Sequence, residues 1–356
     1  MAFSGINKHP LRWTNGMKIS ADHFINTDNA WQENVRDTRC LSLHDFRYGI
    51  IANIDALSEN SPNLFFDANN SRLILKACSA VTIGGYRIEI NENQHTNHQI
   101  PLELPSANID VSVDAAYHIY IFVDMYNPQD AGKVVNDTPS RYQNVTYQYE
   151  LSVVNKKDAT SALTSAQHLK IGELRVQNQS VVLLNDSGDY IPPCFSIESH
   201  PQLRKYHDTF ASRMKNIQQN ALQIIRNTNQ VEGAEVQEVR KFAERIIFFI
   251  AGELFSFKIM MPSQAPITML AYCKDFAQYI WLSMEMHGKS KILQKHIQHY
   301  TLTDAINNVY AAPEDHLDIA PSLIQAALFL ERVEKLCNAL SLYGYDNRDF
   351  IIRDNN

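Results

Sequence analysis

The residues best equipped for chemistry fall late in the chain. Gly288-Lys289-Ser290 has the ending of a phosphate-binding loop, in which backbone N–H groups cradle phosphate oxygens and the lysine neutralises them. That motif also requires glycine at position 283, which is Ser283 here, and a strand in front, where the apolar pattern is helical. His296 and His299 stand three apart with His287 upstream, but no carboxylate or cysteine completes a metal-ligand set. They are expected to be solvent-facing histidines at a helix end. Glu314, Asp315 and Asp318 gather around His316, and a charged segment of this kind is expected to be a solvated loop. There is no GxSxG and no HExxH. With 39 acidic residues in the chain, some pair always has the look of an acid–base dyad, and none here rises above that background. The reading is therefore of a protein that is not an enzyme, with no catalytic residue, no cofactor and no metal.

What must position such residues is set by size and composition. A chain of 356 residues is long enough for two or three domains, each with its own core. At 45% hydrophobic and 20% charged residues it has the make-up of a soluble globular protein. A net charge of −7, with basic residues scattered, argues against nucleic acid as a partner. Cys40, Cys78, Cys194, Cys273 and Cys337 are odd in number, far apart and never in a CxxC pair, which suits buried thiols in a reducing compartment. The opening residues have no apolar h-region, and the longest apolar run, Ile246 to Ala251, is too short to cross a bilayer. A cytoplasmic protein without direct membrane insertion is expected.

The pattern of apolar residues changes once, at Asp189–Leu203. Before it, apolar residues alternate in twos, with candidate strands at 49–57, 72–83, 86–90, 117–125, 146–154, 170–176 and 180–184. Gly84-Gly85 and Asn178-Gln179 are expected to turn hairpins, and 58–71, 91–110 and 127–141 are expected to be surface loops. Short strands without long helices between them predict a β-sandwich. At the change of pattern, Tyr190 and Ile191 lead into Pro192-Pro193, which cannot sit inside a helix or a central strand. Ser199 and Pro201 then read as a helix start, so the stretch predicts a rigid joint.

After the joint the period becomes helical. Leu203, Tyr206, Phe210, Met214, Ile217, Ala221 and Ile224 recur at steps of three and four, one stripe along a helix of about seven turns. Further helices are predicted over 234–260, 267–286 and 319–343, with 289–320 as a connecting loop, which together describe a four-helix bundle. The first stripe is a candidate seam for self-association. The organisation expected is an N-terminal arm (1–35), a β-sandwich (36–195), a helical bundle (196–345) and a short tail (346–356). In the arm, Ser20 and His23 read as a helix start, and Trp13, Met17, Ile19 and Phe24 as anchors packing against the domain that follows.

Two of these stretches together resemble a known family. Trp13-x-x-Gly16-Met17-x-Ile19-x-x-x-His23-Phe24 is similar to the start of the TssK family, baseplate components of bacterial type VI secretion systems. Tyr190-Ile-Pro-Pro-Cys-Phe-Ser-Ile-x-x-x-Pro-x-Leu203 is similar to that family's Phe-Ile-Pro-Pro segment. The resemblance implies a shoulder β-sandwich related to siphophage receptor-binding proteins, a neck helical bundle that forms a homotrimer, and a head that meets the membrane complex. It also implies attachment of the shoulder to the baseplate wedge subunits TssG and TssF. Trp13, Gly16, Met17, His23 and Phe24 would belong to the wedge-binding arm, Tyr190, Ile191, Pro192 and Pro193 to the joint, and Leu203, Tyr206, Phe210, Ile217, Ala221 and Ile224 to the trimer seam. The chain departs from the pattern at Asn15, Lys18 and Ala21, and only Gly344–Asn356 follows the fourth helix. A shortened, divergent form of Bacteroidetes type, with the head absent or vestigial, is expected, linked to trans-envelope components by another route. The alternative is a phage-tail-like receptor- or carbohydrate-binding module, with Tyr117, Tyr120, Tyr126, Tyr142, Tyr147 and Tyr149 as a sugar platform.

Overall fold

The computed structural model describes residues 5–52, 62–70, 72–91, 102–105, 109–110, 112–158, 165–287 and 290–344. The chain divides into two compact units, Met1–Pro201 together with His316–Asp318, and Gln202–Asp315 together with Ile319–Asn356.

The first unit opens with helix α1 (Ala21–Cys40), followed by β1 (Gly49–Ile50), β2 (Asn63–Asp67), β3 (Arg72–Val81), β4 (Arg87–Asn91) and β5 (Leu102–Pro105). β6 (Ala115–Val135), β7 (Arg141–Asn155), β8 (His168–Gln177), β9 (Ser180–Leu183) and the single turn α2 (Leu184–Ser187) complete it. Strand β3 is the centre of a five-stranded antiparallel sheet that pairs with β1, β2, β4 and β5. A four-stranded sheet runs β7-β6-β8-β9, also antiparallel. Ile88 and Ile90 of one sheet and Ile119, Ile121 and Val123 of the other are fully or almost fully buried. At Gly172 a Cβ would come within 2.8 Å of Leu64 Cδ2 on the opposing sheet, so the sheets meet where no side chain fits. The hairpin at 178–179 is as expected: Asn178 and Gln179 both have positive φ, the pair of left-handed residues that a two-residue turn between twisted strands needs.

Three segments expected as loops contain strands. β2 lies within 58–71 and β5 within 91–110; both are short and gain their ladder bonds only by pairing with β3. The third, 127–141, continues β6 and β7 as one long hairpin whose register runs out to Val135↔Arg141. Polar residues, Pro128 and Gly132 gave that stretch the look of a loop. Register shifts between Asp124 and Gln129 and between Ala131 and Val134 absorb them, with Gly132 at φ +84°. The expected strand at 49–57 is seen as Gly49–Ile50, and its remainder from 53 lies outside the described residues.

The second unit is helical: α3 (Pro201–Thr228), α4 (Ala234–Ile259), α5 (Pro266–His287), α6 (Lys291–His299), α7 (Leu302–Ala311) and α8 (Ala320–Ser341). The four long helices match the expected spans. The connecting loop does not, because 291–311 forms two short helices hinged at Thr301, a non-glycine residue at φ +46°. Each buries only a few residues, Ile292, Leu293 and Ile297 on α6 and Leu302, Ala305, Ile306 and Val309 on α7, too short a run for periodicity to reveal. α3 is held by His207 Nε2 to the Phe257 carbonyl on α4 at 2.9 Å, and by Asn227 Nδ2, which donates to the Ser341 carbonyl on α8 at 2.7 Å. The expected tail at 346–356 lies outside the described residues.

Candidate interaction surfaces

The first candidate surface is the arm with α1. Ser20 precedes the helix in an extended conformation, and its N–H donates to His23 Nδ1 at 3.0 Å, so His23 closes the first turn of its own helix. Gly16 takes φ +78°, a turn that favours glycine, and Trp13 then lies edge-on to His23 and against Phe24, with ring centroids 6.1 and 6.4 Å apart. These short-range contacts fix how Trp13, His23 and Phe24 sit at the start of the helix. Met17 closes the turn, its N–H donating to the Thr14 carbonyl at 3.2 Å.

One face of α1 is fixed to the β unit by a buried ion pair. Arg36 Nε and Nη2 meet Glu33 Oε2 and Oε1 at 3.0 and 3.1 Å, a two-point contact of side chains about 1% exposed. Tyr126 of β6 donates its hydroxyl to Glu33, the Asn7 N–H donates to it at 2.9 Å, and Arg36 reaches the Gly84 carbonyl at 3.1 Å. Burial by itself would raise the Glu33 pKa; the bonds from Arg36, Tyr126 and Asn7 outweigh it and hold it down at about 2. Gly85, at φ +81°, lets α1 approach the β3–β4 turn, since a Cβ there would meet the Arg36 carbonyl and Cys40 Sγ at 2.7 Å.

The opposite face of α1 is apolar and open. Phe24, Trp31 and Val35 follow each other at helical spacing, 67% of Trp31 is exposed, and Ile19, Ile25 and Trp13 are about half exposed. Of the anchors read from the arm, Met17 is half-buried, whereas Trp13, Ile19 and Phe24 are exposed and do not pack into the domain that follows. They form a ridge facing solvent in this chain.

At the joint, Tyr190, Ile191, Pro192 and Pro193 are all buried. The segment is stitched to β1: the Ile50 N–H donates to the Pro193 carbonyl and the Phe195 N–H to the Ile50 carbonyl, both at 2.8 Å. Gly49 is required there, because a Cβ would fall 2.0 Å from the Pro193 oxygen and φ is +106°. The expected cap moves one turn: Ser199 Oγ accepts from the Ser196 N–H at 3.2 Å and closes a 3₁₀ turn ahead of α3, while Pro201 occupies the first position of the helix. Behind Tyr190 lies a second buried charge cluster. Lys170 Nζ sits 2.5 Å from Glu173 and 4.5 Å from the Tyr190 ring centroid, and His118 Nε2 is 3.1 Å from the same carboxylate. Burial would raise the Glu173 pKa, but His118 and Lys170 hold it down at about 2, and burial lowers that of Lys170. Lys170 and Glu173 neutralise each other inside the sheet.

The stripe on α3 proves to be core. Leu203, Phe210, Met214, Ile217, Ala221 and Ile224 are fully buried within the single chain, and Tyr206 is half-buried against Phe210 at 5.9 Å. A seam between copies needs residues exposed in one copy, so these do not supply it. Of the histidines, His299 is exposed as expected, and the others differ. His287 is buried, 2.7 Å from Glu238, and His296 is half-buried and stacked on Tyr300. His316 is buried in the β unit, where Nε2 donates to the Tyr48 carbonyl at 3.0 Å and the ring meets Tyr48 edge-on. Gly288 and Lys289 lie outside the described residues. Of the tyrosines considered as a sugar platform, Tyr117 and Tyr120 are buried, Tyr126 binds Glu33, and Tyr149 accepts from the Glu89 N–H at 3.2 Å. Tyr142 and Tyr147 alone do not make a platform.

Among the described residues no group of three or more His, Cys, Asp and Glu is set to hold a metal, and no helix is long and apolar enough to cross a membrane. A groove of about 550 Å³ between α3 and α8 is lined by polar groups that pair among themselves, Arg213 with Glu334 at 2.9 Å and Asn216 with Glu334 at 2.7 Å.

An exposed aromatic ridge, a proline-built joint and a helical unit define a two-part β + α scaffold. That scaffold is the TssK-like fold. A crystal structure of TssK superposes with a TM-score of 0.55 at 15% identity, over 92% of this chain and 69% of that one. The matched chain of a type VI secretion TssK-TssF-TssG baseplate subcomplex gives 0.53 at 12% identity, over 92% and 99%. That of a type VI secretion baseplate complex gives 0.55 at 14%, over 92% and 100%. No protein-family model and no curated protein matches the sequence.

Proposed function

We propose that the chain is a structural subunit of a type VI secretion baseplate: a homotrimer without catalytic activity that joins wedge subunits of the TssF and TssG kind to trans-envelope components. It would work in the cytoplasm, at the inner face of the membrane. The observation that carries the reading is α1, a helix riveted on one face by a buried ion pair and bare and aromatic on the other, within a TssK-like fold. A rigid ridge of Trp and Phe is what a docking partner needs, because large rings bury much area at little entropic cost. No observation favours the carbohydrate-binding alternative, since most of its tyrosines serve the interior.

Co-expression with TssF- and TssG-like subunits tests the proposal. The chain should co-purify with them, and a Trp13→Ser, Phe24→Ser, Trp31→Ser variant should lose them while keeping its unfolding midpoint. Retention of the wedge subunits by the triple variant would remove the ridge from the interface, and failure of the native chain to bind them would overturn the assignment.

A further inference from the structure

A second groove in the helical unit lies between α4 and α5 and holds about 340 Å³. Lys241, Glu244, Arg245 and Phe248 of α4 line it together with Tyr279 and His287 of α5. The carboxylates in and beside it are matched within the chain. Glu244 takes Arg240 at 2.9 Å, and Glu238 takes Lys241 at 3.3 Å and His287 Nδ1 at 2.7 Å. Arg245 is half-buried and has no hydrogen bond or ion pair with any described residue. His287, 8% exposed, is left with one open ring atom. An ionised carboxylate only accepts, so the Glu238 contact puts a hydrogen on Nδ1; the other nitrogen, Nε2, is buried without a hydrogen-bond partner among the described residues. Buried polar atoms are seldom left unpaired, because nothing then replaces the water they gave up.

We infer that this groove binds an acidic peptide segment of a partner protein, with a side-chain carboxylate of the segment on Arg245. The inference does not depend on the baseplate reading. Charge is the first argument. One cation stands unmatched, and a guanidinium takes a carboxylate through two parallel N–H bonds. Lys241, whose side chain is 53% exposed and whose bond to Glu238 is long, can turn to the same carboxylate. A phosphate group suits the groove less well. It carries close to two negative charges, more than Arg245 alone leaves unmatched, and Glu244 in the lining would repel the excess. The second argument is the His287 edge. Neutral, with its hydrogen on Nδ1, the ring offers Nε2 as an acceptor, and a peptide brings a backbone N–H along with its acid. The third is the wall. Phe248, 72% exposed, and Tyr279 give an apolar surface for the residue next to the acid. The volume lies near the small end of the range of about 300–1,000 Å³ for ligand sites, which suits one or two residues of a segment.

Fluorescence anisotropy on the full chain is the test, with a fluorescein-labelled hexapeptide alternating Glu and Phe as the probe, at physiological ionic strength. The native chain should bind it saturably, and the same peptide with Gln for every Glu should bind at least about tenfold more weakly, as loss of a charged hydrogen bond requires. Arg245→Gln should weaken the acidic peptide by about tenfold or more with an unchanged circular dichroism spectrum. Lys258→Gln removes an exposed positive charge from the same helix outside the groove, and should change binding by no more than about twofold. Should Arg245→Gln misfold, Lys241→Gln takes its place in the comparison with Lys258→Gln. No saturation by ~1 mM peptide, equal binding of the two peptides, or equal losses in the groove and control variants would overturn the site. Displacement of the probe by inorganic phosphate but not by acetate at matched ionic strength would make it a phosphate site and overturn the peptide assignment. Each of these results leaves the baseplate reading standing, since α1 takes no part in them.

Discussion

Glu33 illustrates how much one carboxylate holds in place. It sits on α1, faces inward, and gathers Arg36, Tyr126 and the Asn7 N–H around two oxygens. Replacing it with glutamine leaves the Arg36 guanidinium buried without its counter-charge, and breaking a buried pair from one side costs about 3–5 kcal/mol. Glu33→Gln should therefore lower the urea midpoint of the β unit sharply, read by tyrosine and tryptophan fluorescence. The same residue sets an acid limit. Glu33 and Glu173 have folded pKa values near 2 against an ordinary 4.5, so their stabilisation is complete above about pH 4.5 and is lost as pH falls towards 2. Thermal midpoints measured from pH 6 to pH 3 should be level at first and then fall, and the fall should be shallower in Glu33→Gln. An equally steep fall in the variant would mean that other carboxylates govern it.

At the level of the element, α1 and α3 differ in whether their apolar face is covered. α3 has its apolar stripe covered, which makes it a stability element. Ile217→Ala should cost about 2–5 kcal/mol as a buried large-to-small change. Ile217→Asp or Phe210→Asp should abolish cooperative unfolding of the helical unit, because a lone carboxylate would have to enter its core. Folded trimers splitting cleanly into folded monomers in those variants would contradict the burial. α1 has an apolar ridge with nothing over it, so Trp31→Ser should change stability by no more than about 0.5 kcal/mol in denaturant titrations, as surface substitutions do. On the proposed reading, partner binding and stability separate on opposite faces of one helix.

For the whole molecule, the consequence of the proposed self-association is mass action. A chain that trimerises through surface exposed in one copy should have a thermal midpoint that rises with protein concentration, since assembly stabilises the folded state and not the unfolded one. Differential scanning calorimetry across a hundredfold range of concentration should show the rise in the native protein. Midpoints independent of concentration in the native chain would mean that assembly contributes nothing to its stability.

Period was legible in the sequence. Alternation in twos up to the paired prolines and steps of three and four beyond them follow from strand and helix geometry, so the two halves, the long helices and the hairpin at Asn178-Gln179 could be read directly. Residues 13–24 and 190–203 also carried enough local pattern to suggest the TssK-like fold. The sequence could not show which side of each pattern is inside. A stripe such as Leu203–Ile224 is the same string of letters whether it lines a core or a seam, and only the positions of α4 and α8 beside it made it core. The histidines at 287 and 316 read as solvent-facing for the same reason: Glu238 and Tyr48, which bury them, lie 49 and 268 residues away. Strands β2 and β5 and the outer half of the β6–β7 hairpin are held by ladder partners, not by their own composition, and which segment pairs with which is decided only in the folded chain.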